Sequence, residues 1–376
     1  MPYNKVTLRN TMAKKSYRTK YRINKRSAIA ILIVAVLIIA VLVTLIINNG
    51  LIGLLFGEGE EEQTVSILSG GNSIKLPDEF DISTLLEVHF IDIGQGDAIV
   101  IMLPDGKICL IDAGSGTRAS NENRNKYNQY LSEVLLLDKV EYMVITHSDS
   151  DHVNLMEEIL DSYDVDNIFF NNVTKDLSKV YENFCIKARE EEEASVVEIT
   201  SPDDSLYVIE GQNYKLTVFS SGNDGFSGAS GIKNSMSIIC LLEYGSRKVL
   251  FTGDAEIQTE EWFVEYATAE GYDIDIDVLK VAHHGSDTSN SQLFLEAVAP
   301  EYAIISCGEN NPYNHPSQMV MNRLVECKVA TYRTDKHGSI VLYMDYDGDF
   351  GFLPQSNLPA ENIDHTIINS RLIVLD

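Results

Sequence analysis

Residues 142–156 read YMVITHSDSDHVNLM: a short apolar run, then His147, Asp149, Asp151 and His152 within six residues, then the start of a helical pattern. An apolar run followed by a polar turn and a helix predicts a buried strand whose C-terminal end carries that turn. Alternate residues of an extended loop point the same way, so His147 and Asp149 can share one cation while Asp151 and His152 approach a second. Capping a helix needs only one such side chain. Four of them together constrain the fold, because other strand ends must converge here to complete the coordination.

Two later segments offer the missing ligands. LFTGDAE (250–256) places Asp254 after one apolar run, and LKVAHHGSDTS (279–289) places His283 and His284 after another. At a shared sheet edge Asp254 can bridge two cations. One set is then His147, Asp149 and Asp254, and the other Asp151, His152, Asp254 and His283. His284 is left to contact substrate oxygen or protonate a leaving group, and the two adjacent histidines can exchange these roles.

The runs VHFIDI (88–93), AIVIML (98–103), KICLID (107–112), SIICLLEY (237–244), RKVLFTG (247–253), DVLKVA (277–282) and YAIISC (302–307) also predict strands. Helical patterns cover 126–137, 154–162, 175–193, 256–270 and 289–298. Clusters of strands separated by single helices predict an α/β sandwich of two sheets with helices outside. Five widely spaced cysteines without a C-x-x-C pair argue against a disulfide framework or a cysteine zinc site, and for buried, inert thiols.

Charge sets further limits. The formal net charge is −27, yet residues 1–27 hold nine basic side chains and no acidic one. Such a balance excludes a protein that coats nucleic acid and confines any DNA contact to a site. Ala28 to Ile47 is a twenty-residue run without charge, with Thr44 its sole polar residue. As a helix it reaches about 30 Å, the thickness of a bilayer's hydrocarbon core. The expected organisation is a basic cytoplasmic segment (1–27), a transmembrane anchor (28–47), an extracytoplasmic linker (48–84), a folded domain (85–345) and a C-terminal extension (346–376). One helix cannot form a pore, so any transport role needs a membrane-channel partner.

The strings H-x-D-x-D-H, L-I-D-A-G, T-G-D-A and H-H-G-S resemble the metallo-β-lactamase superfamily. HFIDIGQGDAIVI (89–101), NSMSIICLLEYGSRKVLFTGDAE (234–256), DVLKVAHHGSDTSNSQLFLEAVAPEYAIISCGENN (277–311), NHPS (314–317) and YRTDKHGSI (332–340) further resemble the hydrolase domain of the ComEC competence DNA-uptake family. The resemblance spans about residues 85–345. It implies an αββα four-layer sandwich and metal-dependent hydrolysis, with DNA as the phosphodiester. It does not carry over the channel, whose many membrane helices have no counterpart in this sequence. The first motif departs from the superfamily's usual H-x-H-x-D-H, and no histidine lies between His152 and His283. Ligand hardness therefore shifts the expected pair of divalent ions toward Mn²⁺, with Mg²⁺ or Zn²⁺ as alternatives.

In this reading Asp151 orients a metal-activated hydroxide as well as binding metal. Asp97, in GQGD, enters the site as a further catalytic candidate, and Gly94 and Gly96 either bring backbone amides to a phosphate or form a plain hairpin. Asp112 supports the ligands from behind. Asn234, Ser235, Lys280, Ser286 and His315 contact ligands or substrate, and Lys233, Arg247, Lys248 and Lys280 offer a phosphate path. His89, His337 and His365 are structural or exposed. The expected function is a membrane-anchored extracytoplasmic phosphodiesterase acting on DNA or nucleotides. The alternatives are a cell-envelope phosphodiester such as a phosphocholine or teichoic-acid linkage, and a non-enzymatic envelope partner. The wording of the motifs and the missing histidines disfavour β-lactam hydrolysis.

Overall fold

Along the strand Leu86–Phe90 (β1), Leu86, Val88 and Phe90 enter one core while the next strand, Ala98–Met102 (β2), sends Ile99 and Ile101 there and Ala98 and Val100 to the opposite face. A strand's side chains alternate between faces, so strands apolar throughout must be covered on both sides. The computed structural model describes residues 84–116, 119–172, 177–199, 206–222 and 232–356. The segments expected at 1–27, 28–47 and almost all of 48–84, like His365, lie outside them. Among the described residues no helix is long and apolar enough to cross a membrane.

The remaining strands are β3 (Ile108–Ala113), β4 (Lys139–Ile145), β5 (Asp164–Asn171), β6 (Ser195–Ile199), β7 (Leu206–Glu210), β8 (Tyr214–Phe219), β9 (Ile239–Tyr244), β10 (Arg247–Phe251), β11 (Val278–Lys280), β12 (Tyr302–Ile305), β13 (Ala330–Arg333), β14 (Ile340–Met344) and β15 (Phe350–Pro354). They form an eight-stranded sheet in the order β15-β14-β1-β2-β3-β4-β5-β6 and a seven-stranded sheet in the order β13-β12-β11-β10-β9-β8-β7. The inner faces share one core, in which Val88, Phe90 and Ile111 of one sheet join Val218, Leu242 and Phe251 of the other. Outside the first sheet, Tyr127, Met156, Ile159 and Phe184 cover Val100, Leu110 and Met143. Outside the second, Phe263, Phe294, Leu295 and Leu324 cover Leu241, Leu250 and Leu279. This is the four-layer αββα order.

Strands β3 to β6 run parallel, as do β10 to β13. Parallel strands deliver their C-terminal loops to one edge of a sheet, where ligand sites of such sheets gather. Helix starts follow local capping: Ser120 accepts from Asn123 N–H ahead of Asn121–Gln129, and Ser178 from Tyr181 N–H ahead of Lys179–Glu190. The helix expected at 126–137 therefore begins earlier and ends in a π-helical turn, Tyr130–Val134. Strand β15, which falls in the expected extension beyond residue 345, pairs antiparallel with β14 and forms one edge of the first sheet. All five cysteines are free, four of them buried.

Candidate metal centre

The loop after β4 carries His147, Asp149, Asp151 and His152, the loop after β10 carries Asp254, and the turn after β11 carries His283 and His284. The loop after β4 is anchored from behind. Asp112, at the end of β3, accepts from Thr146 N–H at 2.8 Å and from the Thr146 hydroxyl at 2.5 Å, and its Oδ2 lies 2.7 Å from His152 Nδ1. Thr146 Oγ1 is also 3.1 Å from His147 Nδ1. His284 Nδ1 lies 2.9 Å from the Ser306 carbonyl oxygen, so Nδ1–H donates to it. In all three histidines Nδ1 is thus engaged and Nε2 is turned inward, the arrangement that backing groups impose on metal-binding imidazoles.

Asp254 sits between them. Its Oδ1 lies 3.1 Å from His152 Nε2 and 3.8 Å from His284 Nε2, and its Oδ2 lies 3.6 Å from both His147 Nε2 and His283 Nε2. Asp151 Oδ2 is 3.5 Å from His284 Nε2. The Nε2 atoms of His147, His152 and His284 and Oδ1 of Asp254 are buried and make no well-aligned hydrogen bond, the 3.1 Å contact of His152 with Asp254 included. Leaving a buried polar atom unpaired costs about 1–3 kcal/mol, so four of them converging on one point fit a group that is to bind there. Three of the clusters able to hold a cation are His147, His152 and Asp254; Asp151, His152 and His284; and Asp97, Asp254 and His284. Nitrogen and carboxylate donors in this mixture suit divalent ions.

Electrostatics agree. Burial works to raise the Asp254 pKa, but His152, His283, His284 and His147 outweigh it and hold the carboxyl well below its usual range. Burial works to lower His284, yet Asp254, Asp151 and Asp97 lift it to about 10, and Asp254 and Asp112 likewise hold His152 well above its ordinary value. The surrounding carboxylates thus favour positive charge at these two imidazoles, the kind of charge a divalent ion bound at Nε2 would supply.

His283 and His284 stand in the left-handed region, at φ 51° and 53°. Such a conformation costs a non-glycine residue roughly 1–2 kcal/mol, and the surroundings impose it. Asn290 accepts from Ala282 N–H at 3.0 Å and donates to the Ala282 carbonyl at 2.9 Å, while Glu260 accepts from the amides of Asn290 and Ser291. His283 N–H donates to Gly253 O at 3.0 Å. The result buries His284 in the cluster and leaves His283 lining the cleft above it, 3.2 Å from Asn234 Nδ2.

The cleft encloses about 420 Å³ and is walled by Gln95, Asp149, Asp151, Lys233, Asn234, Asp254, His283, His284, Ser286, Tyr313 and His315, among others. Asp149 stands at its rim and pairs with Lys233 at 3.2 Å. Burial, then His284 and His283, push His315 down to about 4. The structure narrows the roles open to several expected residues. Lys280 has no exposed surface and forms an ion pair with Asp97 at 2.7 Å, so it cannot touch substrate. Asp97 lies beneath the cleft rather than in it, with Oδ1 3.5 Å from His284 Nδ1. Ser235 is fully buried, its hydroxyl 3.4 Å from Glu256. Arg247 is engaged by Asp277 and the Gly348 carbonyl, and Lys248 by Asp273, so of the four basic candidates only Lys233 lines the cleft. His89 is buried between Tyr130 and Glu87, and His337 Nδ1 accepts from Arg333 N–H. Tyr313, Gln95 and Asn290 were not singled out in the sequence; the setting of Tyr313, two residues before His315 in NPYNHPS, was the one available signal.

Gly96 and Gly114 lie where backbones pass closely: a Cβ at Gly96 would come within 2.5 Å of the Asp151 carbonyl oxygen, and one at Gly114 would overlap the backbone between Asp151 and His152. Overpacking of this kind costs about 1–3 kcal/mol. Gly114→Ala is expected to lower stability by about 2–3 kcal/mol in urea unfolding and to weaken retention of divalent metal. Gly106→Ala, where a Cβ meets nothing, should show about 1 kcal/mol of left-handed strain and normal metal retention. Equal metal binding by both variants would mean that the loop has room to move.

The family model described as Metallo-beta-lactamase superfamily matches residues 91–309. The chain is 29% identical over 280 residues to ComE operon protein 3 of Bacillus subtilis, covering 71% of this chain and 34% of that protein. It is 31% identical over 256 residues to Recombination protein 2 of Haemophilus influenzae, covering 68% and 28%. It thus spans about a third of the length of these curated relatives. Among solved structures, the metallo-beta-lactamase fold protein YhfI from Bacillus subtilis matches 69% of this chain and 99% of its own at 11% identity, with a TM-score of 0.44.

Proposed function

Because this chain belongs to the metallo-beta-lactamase superfamily, we propose that it is a divalent-metal-dependent phosphodiesterase that cleaves DNA or nucleotides. The observation that carries the reading is the convergence of unpartnered buried atoms from His147, His152, His284 and Asp254 beneath an open cleft. The name of its relative Recombination protein 2 favours DNA as substrate.

In this reading His147, Asp149 and Asp254 would hold one cation, and Asp151, His152, His284 and Asp254 would hold the other. Such cations would supply an acidified water and positive charge against the phosphoryl oxygens. Asp151, in the cleft wall, orients the attacking water. His283 stands on the cleft side of Asp254, where it contacts the substrate oxygen, so the two histidines exchange the roles first expected of them. Lys233 and the Asn234 amide meet the non-bridging oxygens. The two His283 nitrogens lie 3.3 Å from Thr288 Oγ1 and 3.2 Å from Asn234 Nδ2, contacts that fix the ring's direction. The ligand set remains richer in oxygen than imidazole alone would make it, which favours Mn²⁺. The apolar run 28–47 anchors the enzyme to a membrane with the hydrolase outside the cytosol.

The net charge of −27 favours a second reading, in which the diester is a zwitterionic cell-envelope group such as a phosphocholine linkage, since a polyanion approaches such a surface poorly. One experiment separates the two. The purified protein is given Mn²⁺, Mg²⁺ or Zn²⁺ with single-stranded DNA, double-stranded DNA and a chromogenic phosphodiester, before and after chelation. Metal-dependent DNA cleavage that chelation abolishes is the expected result; turnover of the small diester alone would transfer the mechanism to an envelope substrate.

A further inference from the structure

Beside the metal cluster the cleft wall carries Tyr313, 53% exposed although it is a large aromatic residue. Its ring stacks on His315 with centroids 5.6 Å apart and planes 27° apart, and His315 lies 6.4 Å and 29° from His284. A graded stack therefore leads from the buried histidine to solvent.

The platform is held in place. Asn311 Oδ1 accepts from Tyr313 N–H at 3.2 Å and His315 N–H at 3.0 Å, while its Nδ2 donates to the carbonyls of His315 and Gly308 at 2.6 and 3.0 Å. Ser317 N–H donates to Gly285 O at 2.8 Å, and the absence of a Cβ at Gly285 lets Pro316 pack against the residue following His284. The exposed ring is thus fixed relative to the site where a phosphate would be cut. Gln95, which also lines the cleft, accepts from Gly308 N–H through Oε1 and so ties its own loop to the segment that leads into Asn311 and Tyr313.

We propose that Tyr313, backed by His315, is the stacking platform for a nucleobase flanking the scissile phosphate. The inference rests on the phosphodiesterase reading and assigns its substrate class to nucleic acid. Stacking needs only one open π-face and tolerates any base, so the subsite selects nucleotides without reading sequence. A quaternary ammonium, such as a choline headgroup, is instead recognised by a cage of several aromatic faces. Among the described residues lining the cleft, Tyr313 is the one Phe, Tyr or Trp, and the rim carboxylate Asp149 is already paired with Lys233.

The test compares wild type, Tyr313→Ala and Tyr313→Trp on a dinucleotide and on matched dinucleotides lacking one base or the other. Base–aromatic stacking is worth about 1–3 kcal/mol per base, or roughly five- to 150-fold. Wild type and Tyr313→Trp should prefer the base-bearing substrate by a factor in that range, expressed in KM, and Tyr313→Ala should reduce the preference to about twofold or less. An undiminished preference in Tyr313→Ala overturns the platform while leaving the nuclease standing. Wild-type protein that hydrolyses glycerophosphocholine or a chromogenic diester but no nucleotide overturns both.

Discussion

Asp254→Ala should abolish hydrolysis, by a thousandfold or more, and should release metal from both halves of the proposed centre. The carboxylate is almost fully buried, and its two oxygens divide the surrounding imidazoles between them: Oδ1 faces His152 and His284, and Oδ2 faces His147 and His283. Within the set assigned to the two cations, it alone belongs to both. Removing the carboxylate leaves each half short of a ligand and lets the imidazoles repel one another. Several kcal/mol of transition-state stabilisation by metal corresponds to about a thousandfold at 1.4 kcal/mol per tenfold. Asp149→Ala provides the contrast, because Asp149 stands half-exposed at the rim and pairs with Lys233. It should cost roughly ten- to a hundredfold, as weakening of one site does. Bound metal, measured by elemental analysis after gel filtration, and steady-state rates at saturating Mn²⁺ distinguish the cases. Asp254→Ala protein that kept two metals per chain, or more than a tenth of the rate, would rule out the bridging role.

The chemistry of the cluster was legible in the sequence because ligand-type residues are rare next to one another at strand ends. HSDSDH, GDA and HHG each follow an apolar run, and β4 of one sheet and the parallel pair β10 and β11 of the other bring the three loops together. What the sequence hid are matters of direction. In β11 every residue is buried, so alternation could not say whether Lys280 faced substrate or the interior. Nothing in the letters H-H-G announces that both histidines adopt left-handed φ, yet that turn is what makes His284, not His283, the buried member. Strand β5 went unrecognised because Asp164, Asp166 and Asn167 interrupt its apolar half, Ile168–Phe170, which alone reads as too short. Strands β7 and β8 were missed for a related reason: β7 lies at a sheet edge with exposed positions alternating along it, and its partner follows after only a three-residue turn.

Lys280→Met is expected to be the most destabilising single change near the site, by about 3–5 kcal/mol, the cost of leaving a buried charge without its partner. Lys280 Nζ donates to the Val281 carbonyl at 3.1 Å and pairs with Asp97 Oδ2 at 2.7 Å, with neither side chain in contact with solvent. Burial works to raise the Asp97 pKa, but Lys280, then His284 and His152, hold the carboxyl far below its usual range, so it stays ionised. Asp97 also packs against the metal cluster: its Oδ1 is 3.5 Å from His284 Nδ1, and its backbone N–H donates to the Asp151 carbonyl at 3.1 Å. An Asp97 carboxylate deprived of Lys280 must either take up a proton or turn toward His284, and either change disturbs the imidazole that Ser306 and Asp97 hold in line. Urea unfolding of metal-free protein isolates the folding cost from any contribution of bound ions. The double variant Asp97→Asn/Lys280→Met removes both charges and should recover much of the lost stability, because a neutral amide is far less costly to bury than an orphaned carboxylate. A single variant that lost under about 1 kcal/mol would mean that water reaches the pair. A double variant no more stable than the single one would mean that Lys280 contributes through packing of its long stem rather than through charge.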